Sequence, residues 1–125
     1  MKNIQILSKS NKPIYQQIYD QISNQIILKK LEANSQLPSI RAAAKELRVS
    51  IITIKKTWEM LEQNHFIYTV PGVGAFVNEN SDTFLLDKKN QKVEGLLMEV
   101  IHECKLVGIT KEELKELVDI LYEEK

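Results

Sequence analysis

The chain has 125 residues, 43% of them apolar and 27% charged, with a formal net charge of zero. That length admits one modest domain, or a small domain with an extension, and that composition excludes wholesale disorder. No apolar run is long enough to span a bilayer, the opening MKNIQILSKSNKP lacks the apolar core of a secretory signal, and the single Cys104 cannot form an internal disulfide, so a cytoplasmic protein without a membrane partner is expected.

The first helical pattern begins at Pro13, a residue suited to a first turn because its missing N–H would be unpaired there anyway. Ile14, Ile18, Ile22 and Ile26 recur every four residues beside Tyr15 and Tyr19, and the helix is expected to end near Lys30. Glu32 to Ser35 reads as a turn in which Asn34 takes a left-handed conformation. Ser39 is a plausible N-cap for a second helix whose apolar face is Ile40, Ala43, Ala44 and Leu47. Ser50 caps a third, running to about Asn64, with Ile54, Trp58 and Leu61 on its inward side. Ile52, Lys56, Glu59 and Gln63 face the other way, flanked by Thr53 and Lys55.

Two β-prone runs, Phe66–Val70 and Ala75–Val77, flank Pro71-Gly72-Val73-Gly74 and predict a hairpin. From about Ser81 the pattern is helical again, with Val93, Leu97, Val100, Ile101 and Cys104 in one stripe and Gly108 at its end. Thr110 and Glu113 form a capping box ahead of Leu114, Leu117, Val118 and Leu121. The predicted fold is mainly α with a small β-hairpin wing: a winged helix-turn-helix over residues 1–78, then two helices over 79–125.

Charge is segregated along this order. Residues 1–78 carry ten Lys or Arg against five Asp or Glu, a net of +5, and residues 79–125 carry seven against twelve, a net of −5. A basic front and an acidic back suit a chain whose first part meets a polyanion, although chance segregation of surface charge gives the same count. Two helices joined by a tight turn let the first buttress the second in a major groove, and a following hairpin can reach the neighbouring backbone.

Residues 13–77 resemble the winged-helix domain of the GntR family of bacterial transcription regulators. The matching stretches are PIYQQI in the first helix, LPSIR into the second, AxxL, VSxxTI, WxxLE, and PGVGAFV at the wing. The two-helix tail resembles that of the YtrA-type subgroup in length and pattern. The resemblance implies a sequence-specific regulator, more commonly a repressor, binding double-stranded operator DNA through Ser39, Arg41, Ser50, Thr53, Lys55, Lys56 and Gly72, to which the outward face of the third helix adds Ile52. It also implies a homodimer built on Val93, Leu97, Val100, Ile101, Leu114, Leu117, Val118 and Leu121, whose symmetry calls for a pseudo-palindromic operator with recognition helices ~34 Å apart.

Three positions depart from the family's pattern. Ile51 stands where Arg usually follows the capping Ser, Pro71 replaces a basic residue before the wing glycine, and His65 replaces a Gly after the third helix. Without an Arg able to pair bidentately with guanine, Ile51 or Ile52 against thymine methyls predicts an A·T-leaning site.

Each assignment has a plainer counterpart. Arg41 could instead pair with Glu32 or Glu46, Lys55 and Lys56 could form an ordinary solvated face, and Trp58 reads as core. His102 and Cys104 lack a second ligand pair, so no metal or cofactor is expected. No nucleophile–base pair or phosphate-cradling glycine loop points to an enzyme. A winged-helix protein-interaction module is the competing function, and a small effector at a dimer seam stays open.

Overall fold

The computed structural model describes residues 3–123 as two compact units that divide after Leu85. The first holds α1 (Ile14–Ile27), α2 (Ile40–Leu47), α3 (Ile51–Gln63), β1 (Ile67–Val70), β2 (Gly74–Val77) and the start of α4 (Asp82–Val107). β1 and β2 pair antiparallel from Ile67↔Val77 to Val70↔Gly74. The segment before α2 lies along the other edge of β2, bridging Gln36 to Phe76. There the Leu37 N–H donates to the Ala75 carbonyl at 2.8 Å and the Asn34 N–H to that of Val77 at 2.7 Å.

The helical periodicities meet in one core. Ile18, Ile22 and Ile26 of α1 pack with Ala43 and Ala44 of α2, and with Ile54, Trp58 and Leu61 of α3, over Phe66, Ile67, Ala75 and Val77 of the hairpin. Thr57 is fully buried, its hydroxyl satisfied by the Thr53 carbonyl at 2.9 Å with that of Tyr15 at 3.3 Å. Burial also raises the pKa of Tyr19, whose ring meets Phe66 edge-on at 6.2 Å.

Four helices end in the same hook, with one residue in the left-handed region and a hydrogen bond closing back over the last turn. The left-handed residues are Lys29, Arg48, His65 and Gly108, with φ of 58°, 58°, 64° and 78°. The closing bonds run from Lys30 to Gln25, Val49 to Ala44, Phe66 to Leu61 and Ile109 to Cys104, at 2.8 to 3.0 Å. The α1 hook sets its end at Ile27, short of the expected Lys30. Asn34 takes the left-handed turn conformation read from the sequence, at φ 64°.

The first compact unit runs on past Asn78 to Leu85, because the chain continues to pack there. Leu85 is buried and Phe84 meets Phe66 edge-on at 6.1 Å. Ser81 caps α4 through the Phe84 N–H at 3.1 Å. Lys29 pairs with Asp82, whose carboxyl is held below its ordinary pKa by that hydrogen bond and charge.

An unpredicted element precedes α1. The Gln17 and Gln21 side-chain amides exchange paired hydrogen bonds with the backbone of Leu7 and Gln5, at 2.6 to 3.0 Å. They act as a surrogate strand edge that holds Ile4 and Ile6 against the core. The I-Q-I alternation is the sequence signal for that extended segment.

The second unit contains the rest of α4 and α5 (Lys111–Tyr122). The capping box forms as read: the Glu113 N–H donates to the Thr110 hydroxyl at 3.2 Å, and the Thr110 N–H to the Glu113 carboxylate at 3.0 Å. Those bonds hold the Glu113 carboxyl below its ordinary pKa. From Leu86 on, Cys104 is the one buried residue among those described. Val93, Leu97, Val100 and Ile101 on α4 are exposed, as are Leu117, Val118 and Leu121 on α5, with Leu114 half-buried. Among the described residues, no helix is long and apolar enough to cross a membrane.

Candidate nucleic-acid interface

The interface is assembled from three local structures in the first unit. Ser39 opens α2 and accepts the Ala42 N–H at 3.1 Å, which satisfies one of the helix's otherwise unpaired donors. Arg41 follows in the first turn, exposed, and among the described residues pairs with neither Glu32 nor Glu46.

The turn to α3 is made by Arg48 and Val49, and Ser50 caps α3 through the Thr53 N–H at 3.1 Å. The Ser50 and Thr53 hydroxyls are themselves 2.7 Å apart. One donates to the other, which leaves one hydroxyl proton of the pair for an outside acceptor. The first-turn N–H groups that the cap leaves without an intrahelical partner, and a partial positive charge at this helix start, favour an anion.

Beyond the cap, Ile51 is 43% and Ile52 78% exposed. This is the arrangement expected of a helix whose apolar side chains meet something outside the fold. Lys55 is exposed and lines, with Arg41, a groove of about 380 Å³ between α2, α3 and the wing. Ser39, Trp58, Glu59 and Thr69 also line it. Lys56, one residue on, is turned toward α1, its ammonium 3.9 Å from the centre of the Tyr15 ring. That cation–π contact fixes its direction while leaving its charge in place. The solvated-face reading of Lys56 therefore needs amending, because the side chain is anchored.

At the wing, Gly72 has φ 76° and the Val73 N–H donates to the Val70 carbonyl at 3.0 Å. Pro followed by a positive-φ Gly is the pattern of a type II turn, so Pro71 is accounted for by turn geometry. Tyr68 and Phe76 stack on the hairpin at 5.5 Å, and the Tyr68 hydroxyl donates to the Asn34 side chain at 3.0 Å. The Gln36 amide donates to the Val73 carbonyl at 3.1 Å.

The structure thus brings Ser39, Arg41 and Lys55 to one groove and places Ser50, Ile52 and Thr53 at the start of α3, with Gly72 at the wing turn. Sequence reasoning passed over Arg48 and Gln36, and read Tyr15 only as a residue of the first helix's apolar side. Arg48 adds an exposed basic residue at the turn itself, and its signal was the short spacing between helices. Tyr15 and Gln36 gave none, since their partners are distant in sequence. His102 is exposed and Cys104 buried, and no cluster of three metal-ligating side chains occurs among the described residues.

A buttressed helix with a polar, cation-bearing outer side and an adjoining hairpin defines a winged helix-turn-helix of the DNA-binding type. The family model "Bacterial regulatory proteins, gntR family" matches residues 14–77, and the chain belongs to that family of DNA-binding transcription regulators, which are not enzymes. It is 34% identical over 109 residues to the "Uncharacterized HTH-type transcriptional regulator YhcF" of Bacillus subtilis (strain 168), covering 86% of this chain and 88% of that one. It is 30% identical over 115 residues to the "HTH-type transcriptional repressor YtrA" of the same organism, covering 92% and 88%. A solved GntR family transcriptional regulator from Listeria monocytogenes superposes with a TM-score of 0.76 at 32% identity, over 89% of this chain and 96% of that one.

Proposed function

We propose that this protein is a cytoplasmic, homodimeric repressor of the YtrA type that binds a pseudo-palindromic operator. In this reading residues 1–78 read DNA and residues 79–125 pair two copies. The observation that carries it is the placing of Arg41 and Lys55 together in one groove, with Glu59 and Glu62 deeper on α3, next to a helix start whose Ser50–Thr53 hydroxyls can donate outward. Phosphates accept from Ser39, Arg41, Lys55 and the Ser50–Thr53 pair, and Lys56 adds charge from its seat on Tyr15. Gly72 allows the wing turn to approach the sugar–phosphate edge. Ile51 and Ile52 meet thymine methyls in the major groove and bias the site toward A·T pairs.

Dimerisation draws support from the tail. Val93, Leu97, Val100, Ile101, Leu117, Val118 and Leu121 are all exposed, a density of apolar surface that a second copy would cover. Two copies related by a two-fold axis set their α3 helices about one DNA turn apart, ~34 Å. Strong likeness to a named repressor over nearly the whole chain supports the sign of regulation.

The test is selection of binders from random duplexes, followed by fluorescence-anisotropy titration of a selected and a scrambled duplex at two salt concentrations. Palindromic, A·T-leaning winners that lose affinity steeply with salt are expected. G-rich half-sites would overturn the Ile51 and Ile52 assignment alone. Equal, weak binding of both duplexes would overturn the DNA reading and turn this winged helix toward a protein partner.

A further inference from the structure

We infer that Gln36 is a positioning residue for the wing: its side-chain amide locks the hairpin tip to the segment that enters α2, and so sets where Gly72 meets DNA. The inference rests on the reading of the wing as a DNA contact. The tip is exposed at Val70, Pro71, Gly72 and Val73, and within the turn the Val73 N–H donates to the Val70 carbonyl.

Gln36 supplies the external restraint. Its Nε2 donates to the Val73 carbonyl at 3.1 Å, and to reach it the amide crosses Gly74, where an added Cβ would lie 2.7 Å from that nitrogen. Gly74 also has φ 143°, which side-chain-bearing residues rarely adopt. The backbone calls for glycine here, and its missing Cβ leaves open the path that the Gln36 amide takes.

The same short segment is tied to the hairpin at further points: the Gln36–Phe76 bridge, the hydrogen bonds from Leu37 to Ala75, from Asn34 to Val77 and from Val77 to Ser35, and the Tyr68 hydroxyl on Asn34. Three residues beyond Gln36, Ser39 caps α2, and Arg41 stands in its first turn. Wing tip and α2 start thus share one frame, and the Gln36 amide is the link nearest the tip.

The test uses the full chain and a selected operator duplex, either with long flanks or trimmed to the half-sites so that the wing has no backbone to meet. Wild type should bind the long duplex more tightly. Gln36→Met, which keeps length but cannot donate, and Gln36→Ala should each lose about threefold to tenfold on the long duplex, the equivalent of one hydrogen bond. Both should match wild type on the trimmed duplex, which doubles as the control for folding. Equal losses on both duplexes would make Gln36 merely structural, and an undiminished preference for long flanks would make it idle; either overturns the inference. A wild type indifferent to flank length would overturn the wing reading itself, and this inference with it.

Discussion

Ile54 and Val100 sit at equivalent places on the apolar stripes of two helices, yet Ile54 is 0% and Val100 45% exposed. Around Ile54, α1, α2 and the hairpin close over α3, and the buried Thr57 hydroxyl donates to the Thr53 carbonyl of its own helix, with that of Tyr15 in α1 also in reach. Around Val100 the second unit buries Cys104 alone among its described residues. The first unit carries its own core, so its stability is a property of one chain. The tail has well-made helix ends, a capping box and a closing hook, but an apolar stripe left open. In the proposed dimer its stability depends on the surface that the second copy supplies.

The comparison can be broken most forcefully at the core. Ile54→Ala should destabilise the first unit by about 2–5 kcal/mol, read as a shift of the chemical-denaturation midpoint that does not depend on protein concentration. Val100→Asp in the tail should leave that midpoint within about 0.5 kcal/mol, yet convert dimer to monomer in sedimentation and weaken operator binding at least tenfold. A tail variant that unfolds the first unit directly would erase the distinction.

The helix hooks sharpen it at smaller scale. Gly108→Ala should cost about 1 kcal/mol, because a Cβ is forced into the left-handed region. His65→Gly should gain about 0.5 kcal/mol by thermal denaturation, since relief of the same strain is partly offset by a more flexible unfolded chain.

The smallest effect is a pH dependence of the α5 cap. The folded-state pKa of Glu113 is lowered by its hydrogen bonds to Thr110. The cap therefore contributes fully above the ordinary carboxylate range and is lost as pH falls through the lowered value. Far-UV circular dichroism should show α5 losing helix on acidification, and Glu113→Gln should remove that step. The first unit caps α2 and α3 with serine hydroxyls, which do not titrate.

What the sequence revealed follows the same physics. Repeated Ile at four-residue spacing, Ser39 and Ser50 before apolar runs, and Pro-Gly between β-prone segments are local signals, and each produced the element it announced. The hooks at Lys29, Arg48 and His65 were illegible because their residues are not the glycine that such a conformation favours; tertiary packing imposes it. The groove residues Ser39, Arg41 and Lys55 were legible through motif spacing. The Gln36 strut, the Tyr15 seat under Lys56 and the glutamine pair holding the N-terminal segment join residues far apart in sequence, where no local pattern exists.

Trp58, the chain's single tryptophan, is 6% exposed and sits on the wall of the groove shared by Arg41 and Lys55. The molecule therefore contains its own fluorophore. Buried in the apolar core, its indole should emit to the blue and should respond to a duplex that fills the groove, so that occupancy of the proposed interface can be followed on unlabelled protein, in the same cuvette in which its unfolding is recorded.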